Sequence, residues 1–168
     1  MAAERSRTYT WEDPRKTVEG VAGASGLELM RRIMAGDLPS PPIADTLGFE
    51  LVEVDRGLAI FQCVPAEYHY NPIGTVHAGL ASTLLDSAMG CAFVTTLEGV
   101  VGWTTLELKA NFTRSMTVDT GPVRCTGRVV HLGRTVATTE ARLEGNDGRL
   151  YAHGTSTILV LDGRGDRR

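Results

Sequence analysis

The chain has 168 residues, 42% of them hydrophobic and 22% charged, with a formal net charge of −3. On the usual scale of roughly 100–200 residues per domain this is one domain, with enough apolar material to build a core without disulfides or a structural metal. So even a charge balance excludes recruitment of nucleic acid or a membrane surface by bulk charge, and any anion site has to be local.

Residues 1–22 are polar and irregular, and lack the apolar stretch a secretory signal needs. No apolar run is long enough to cross a bilayer, so the expectation is a soluble, cytoplasmic protein without a membrane partner. The segment LELMRRIM (27–34) sets Leu27, Met30, Ile33 and Met34 on one side and Arg31 and Arg32 off it, which predicts an amphipathic helix. Gly36 can end that helix, and Pro39, Pro41 and Pro42 predict an extended connector.

Two β-like stretches follow, 48–57 and 58–67, with an Asp-Arg-Gly turn between them. From His77 to Leu97 the character changes. HAGLASTLLDSAMGCAFVTTL is apolar or small nearly all round, the mark of a buried helix. The rest returns to β: 102–115, 121–134, 135–148 and 150–162 are rich in Thr and Val, with HLGRT and EGNDGRL as hairpin signals. The charged tail reads as frayed, and its Arg-Gly-Asp triplet as coincidence in a cytoplasmic chain.

Two strands, one buried helix and four strands define an α+β fold, since a lone helix is buried by one antiparallel sheet only if the sheet curls around it. The expected organisation is an N-terminal extension with a short helix (1–45), a single domain (46–162) and a flexible tail (163–168). The three cysteines, Cys63, Cys91 and Cys125, have no CxxC pairing and read as buried structural thiols.

Chemistry concentrates in HYNPIGTVHAGLASTLLDSAMGCA (69–92). Asp86 stands in the middle of an apolar helix, where a carboxylate is costly unless paired, and where its poor helix propensity adds nothing. It reads either as a buried acceptor satisfied by a backbone group or by Ser82 or Ser87, or as a reactive carboxylate. What precedes it favours reactivity. Asn71-Pro-Ile-Gly forms a turn into the helix start, where His77 takes the cap position and Gly79 follows. Free N–H groups and the dipole at a helix start can stabilise the oxyanion of a carbonyl under attack. Yet His77 and Asp86 are nine residues apart, about two and a half turns or roughly 13 Å, and project from opposite sides. One chain cannot easily bring both to one bond. Two antiparallel helices in a homodimer could, which argues for a shared active site.

These residues resemble a known family. The run Asn71-Pro-Ile-Gly-Thr-Val-His77-Ala-Gly79, then Leu84-Leu85-Asp86 and Ala88-Met89-Gly90, is similar to the hotdog-fold acyl-CoA thioesterases of the phenylacetate-degradation type. TTLELKANFTR (104–114) and HLGRT (131–135) extend the likeness over roughly 45–160. The resemblance implies a hotdog fold and Asp86 as base or nucleophile in hydrolysis of acyl-CoA to free acid and coenzyme A. It implies that Asn71 and His77 position the thioester or water, that Ala78 with Gly79 polarises the carbonyl, and that Thr105 orients the water. It also implies a dimer often paired into a tetramer, and no metal or organic cofactor. The family pattern is His-Gly-Gly; Ala78 keeps the N–H, adds a methyl group, and disfavours a positive φ.

Coenzyme A phosphates need cations, and Arg114, Arg128 and Arg134 are the candidates. Leu80, Met89 or the 27–34 helix could line a pocket for an aromatic or medium aliphatic acyl group. The four histidines show no metal-ligand spacing, and no GxSxG elbow or phosphate loop is present. Two other readings are a hotdog dehydratase or hydratase, and a non-catalytic acyl-CoA sensor. The Asn–His–Asp set with Thr105 suits hydrolysis better than the first. Residues 1–45 are too short and proline-rich for the DNA-binding element the second would carry.

Overall fold

The computed structural model describes residues 4–19, 23–99 and 102–161. The amphipathic segment forms α2 (Gly26–Ala35), after a short helix α1 (Arg15–Glu19). Ser25 caps α2 by accepting the Glu28 N–H at 3.2 Å, and Gly36 closes it in the left-handed region, at φ 81°. The proline run does not stay extended. Pro42 opens a third short helix, α3 (Pro42–Leu47), where its missing N–H costs nothing and its fixed φ suits a helix start.

The two β-like stretches become β1 (Phe49–Asp55) and β2 (Leu58–Cys63), joined through Gly57 at φ 74°. The buried segment becomes α4 (Ala78–Val94). The last four strands are β3 (Gly102–Phe112), β4 (Val123–Leu132), β5 (Val136–Gly145) and β6 (Leu150–Leu161). All pair antiparallel into one six-stranded sheet in the order β1-β2-β4-β5-β6-β3, leaving β1 and β3 at the edges. The expected tail, 163–168, lies outside the described residues.

One face of the sheet takes α4 and the other faces water. On β4, Val123, Cys125 and Gly127 are buried while Arg124 and Arg128 are exposed. From α4, Leu84, Leu85, Met89 and Phe93 are fully buried, each stabilising the fold by roughly 1.5–3 kcal/mol. Close approach of helix to sheet depends on Gly127, where a Cβ would fall 2.2 Å from the Ala88 carbonyl oxygen. The three cysteines are free. Burial pushes the Cys63 thiol up to about 11 and the Cys91 thiol up to about 12, the latter helped by the charge of Asp86, and Cys125 higher still. All three stay protonated at neutral pH, as expected of structural thiols.

Candidate active site

The approach to α4 is a meshed loop. Asn71 Oδ1 accepts the N–H groups of Ile73 at 3.0 Å and Thr75 at 3.3 Å, and its Nδ2 donates to Thr75 Oγ1 at 2.9 Å. The side chain is thus engaged in shaping its own turn, which Gly74 completes at φ 81°. His69 anchors the loop from below. Buried to 6% exposure, it accepts the Ala66 N–H on Nδ1 at 3.0 Å and donates from Nε2 to the Leu47 carbonyl at 2.7 Å. Its own carbonyl accepts the His77 N–H at 2.8 Å, tying the start of α4 to the end of α3. Burial holds the His69 pKa below its ordinary value.

His77 is the N-cap of α4, and its Nδ1 accepts the Gly79 N–H at 2.8 Å. That bond fixes the neutral ring as the Nε2–H tautomer, so the exposed edge of His77 is a donor. It also takes up the Gly79 amide. The Ala78 N–H has no acceptor among the described residues and is the open donor of the helix start. The positive φ that Ala78 would resist never arises, because every described non-glycine residue has a negative φ. Gly79 is the position that cannot change cheaply: a Cβ there would sit 2.8 Å from His77 Nδ1.

Asp86 lies two turns further along α4. Its Oδ1 accepts a hydrogen bond from Thr105 Oγ1 on β3 at 3.1 Å, and not from Ser82 or Ser87. Ser82 turns instead to the Ala78 carbonyl at 3.1 Å. A β-bulge follows Thr105. The register of β3 against β6 slips between Thr105 and Glu107, so Thr105 and Leu108 both face inward while Leu106 turns out, 56% exposed. The buried Ser156 on β6 secures the bulge by donating to the Glu107 carbonyl at 2.8 Å. Trp103 packs on Gly90, one helical turn beyond Asp86.

The sequence-predicted residues therefore fall into two groups: Asn71, His77, Ala78 and Gly79 at the helix start, and Asp86 with Thr105 at its middle. Among the described residues no hydrogen bond links the two. Arg114 joins the first group, lining a cavity of about 360 Å³ with Asn71, Ala78, Phe112 and Tyr151. Arg128 lies on the solvent face of β4, opposite Glu140, and Arg134 in the turn between β4 and β5. Pairings along β5 and β6 put Arg134 at the opposite end of the sheet from Arg114, about 30 Å away along the strands at 3.3 Å per residue. One chain does not gather the three arginines. Sequence reading missed His69, Ser156 and Trp103. For His69 the available signal was its place two residues before the Asn-Pro turn; Ser156 carried none apart from the pairing of its strand.

Comparison with known proteins settles the family. A model of the thioesterase superfamily matches residues 73–152. Human acyl-coenzyme A thioesterase 13 is 32% identical over 109 residues, covering 64% of this chain and 76% of that protein. The chain belongs to the thioesterase superfamily. A 1,4-dihydroxy-2-naphthoyl-CoA hydrolase of Listeria monocytogenes is 26% identical over 118 residues, covering 70% of this chain and 94% of that one. Among solved structures, a phenylacetic acid degradation-related protein of Ralstonia eutropha superposes with TM-score 0.70 at 31% identity, over 78% of this chain and 98% of that one. The hotdog thioesterase fold and the thioester-hydrolase class follow, in agreement with the resemblance seen in the sequence. No helix among the described residues is long and apolar enough to cross a membrane.

Proposed function

We propose that the protein hydrolyses acyl-CoA thioesters to a free acid and coenzyme A at sites shared between two subunits. The observation that carries this is the Asp86 carboxylate, held by Thr105 in the middle of an otherwise apolar helix of a thioesterase-family chain. The Ala78 N–H and the Nε2–H of His77 polarise the carbonyl. Asp86 of the other subunit takes a proton from the attacking water, or adds to the carbonyl to form an anhydride that water then hydrolyses; in either case the CoA thiolate leaves and is protonated. Thr105 aims the carboxylate, and Asn71 holds the loop that aims His77. Among the arginines, Arg114 is best placed for a CoA phosphate because it lines the helix-start cavity; Arg128 and Arg134 would serve only as part of another site or subunit.

Pairing rests on the edge strand β3. It is 11 residues long and carries exposed Leu106 and Phe112, at 56% and 49% exposure. A long unpaired edge with exposed apolar side chains invites a second copy, and a two-fold axis there would bring the helix start of one chain toward the middle of the other's helix. A dimer of such dimers is the expected assembly. Neither the reaction nor the residue set calls for a metal or organic cofactor. The cytoplasm is the proposed location.

The test is thiol release from a panel of aryl and aliphatic acyl-CoAs. Asp86→Asn should lower kcat by about 10²–10⁴-fold, the scale for losing a general base. Activity that survives this change removes Asp86 from the reaction. Hybrids of Asp86→Asn with His77→Ala chains then test sharing. In a hybrid dimer one site keeps both groups, so randomly mixed subunits should recover about a quarter of wild-type activity. Recovery of none would place each site within one chain. Tight acyl-CoA binding without turnover would instead favour the sensor.

A further inference from the structure

The most apolar of the cavities, about 320 Å³ in volume, lies between α2 and the second half of α4. Leu29, Met30 and Ile33 of α2, and Cys91, Val94 and Trp103, supply its apolar walls. Leu80 and Met89, the other residues considered for an acyl pocket, do not line it; both are packed in the core, 4% and 0% exposed. α2 is seated firmly enough to act as a wall. The Gly26 N–H donates to the Leu97 carbonyl at 2.8 Å, and a Cβ at Gly26 would fall 1.8 Å from the Val94 carbonyl oxygen.

Two spacings connect this cavity to Asp86. On β3, Trp103 and Thr105 lie on the same face, about 6.6 Å apart along the strand. On α4, Gly90 and Asp86 are one turn apart, about 6 Å along the axis. Trp103 packs on Gly90, and Thr105 bonds Asp86. The cavity wall at Trp103 therefore begins one helical turn from the carboxylate, and Val94 places its far side about 12 Å along the axis. The lining is also chemically plain. Its two hydroxyls are engaged, Ser25 with the Glu28 N–H and Thr17 with the Pro39 carbonyl, and the Cys91 thiol is held neutral.

A second cavity of about 280 Å³ lies on the other side of Met30, Ile33, Pro41 and Cys91, the four residues that line both. These four are the partition between the two spaces.

Resting on the acyl-CoA reading above, we infer that the cavity under α2 is the acyl subsite. It takes an unsubstituted aryl or medium-length aliphatic group and is closed against longer chains by the Met30–Ile33–Pro41–Cys91 partition. Its volume sits at the small end of the roughly 300–1,000 Å³ range of ligand pockets. A hydroxylated or charged acyl group would be buried there without a partner and is rejected. Most of the wall comes from α2, the residues just before it, Thr17 and Pro41, outside the residues the family model covers, so selectivity resides in this chain's N-terminal extension.

The experiment measures binding of non-hydrolysable S-alkyl-CoA thioethers (ethyl, octyl and hexadecyl) by calorimetry, beside kcat/KM for acetyl-, octanoyl- and palmitoyl-CoA. The octyl ligand should bind best to the wild type. Leu29→Trp, which fills the cavity, should lower the octyl-to-ethyl affinity ratio at least about tenfold, the low end for losing contacts in an apolar pocket. Ile33→Ala, which opens the partition, should raise the hexadecyl-to-octyl ratio by about tenfold. Ratios unmoved by both variants overturn the inference. If the thioethers discriminate as stated and no acyl-CoA is turned over, the subsite stands and the hydrolytic reading fails. If acyl-CoAs are turned over and the ratios do not move, hydrolysis stands and the subsite fails.

Discussion

The loop that enters α4 and the strand that faces its middle fix their polar groups by different means. Before α4, Asn71, Thr75, His69 and His77 bond to one another or to nearby backbone. The donors of the helix start are therefore set by a network in which each member has several partners. At Asp86 a single hydroxyl, Thr105, meets the carboxylate, just before a bulge secured from the next strand by Ser156. The first arrangement makes donors rigid without using up the Ala78 N–H. The second leaves most of the carboxylate's accepting capacity for water or substrate. Donors that must wait for a developing charge are preorganised, and the group that moves protons is held by as little as possible.

The sharpest break in the network is Gly79→Ala. The added Cβ would press on His77 Nδ1 from 2.8 Å, expelling the ring from its cap or tilting the first turn. A misplacement of about 1 Å at a reacting group can cost on the order of 10²-fold, so kcat should fall by about that much. The loss should occur with far-UV circular dichroism unchanged, since one cap does not decide the fold. Ala78→Gly, which restores the glycine pair of the family pattern, should leave kcat near wild type, because Ala78 already sits comfortably at the first helical position. Wild-type turnover in Gly79→Ala would show that the His77 cap does not aim a catalytic donor.

On the other side of the comparison, Thr105→Val keeps the shape of the side chain and removes its hydroxyl. Hydrogen bonds to charged groups contribute about 1.5–3 kcal/mol, which sets an expected loss of about 10–100-fold in kcat with KM little changed. Thr105→Ser should recover most of the rate. Equal losses in the serine and valine variants would mean that Thr105 contributes packing rather than orientation.

Much of this was legible in the sequence because each signal was local and had one cheap explanation. An apolar helix with a single carboxylate, a turn ahead of it and a run of Thr/Val-rich strands specify the sheet-wrapped helix and the position of Asp86. Gly36 and Gly57 end or turn the chain where their freedom at positive φ is needed. What escaped depended on partners distant in sequence. Strict alternation from Thr105 would carry Glu107 inward and Leu108 out, and only pairing with β6 shows that the strand slips there. Pro42 read as part of an extended connector, because a proline at a helix start and one in a linker look alike until the helix beyond is seen. Each of the three arginines was a candidate for a CoA phosphate. Strand register separates Arg114 from Arg134 by the length of the sheet, which is why any common role for them requires a second subunit.

His69 gives the smallest effect and tests whether the network, rather than any one donor, keeps the loop in place. Its Nδ1 accepts and its Nε2 donates, so the folded protein holds the neutral ring, and burial lowers its pKa from the ordinary 6.5. The unfolded chain therefore binds a proton that the folded chain resists. The stability contributed by the neutral form is complete above 6.5, and is lost as pH falls from there through the lower folded value. Between about pH 7.5 and 5.5, where exposed carboxylates remain ionised, wild-type Tm should fall. His69→Gln cannot titrate and leaves one of the two bonds imperfectly replaced. One such bond is worth about 1 kcal/mol, or about 2–4 °C in Tm for a chain of this size, so the variant should melt lower at pH 7.5. Its Tm should then drop less on acidification, and the two curves should converge toward pH 5.5. Parallel curves would mean that the loop tolerates a charged imidazole and that Asn71 and Thr75 alone hold the start of α4.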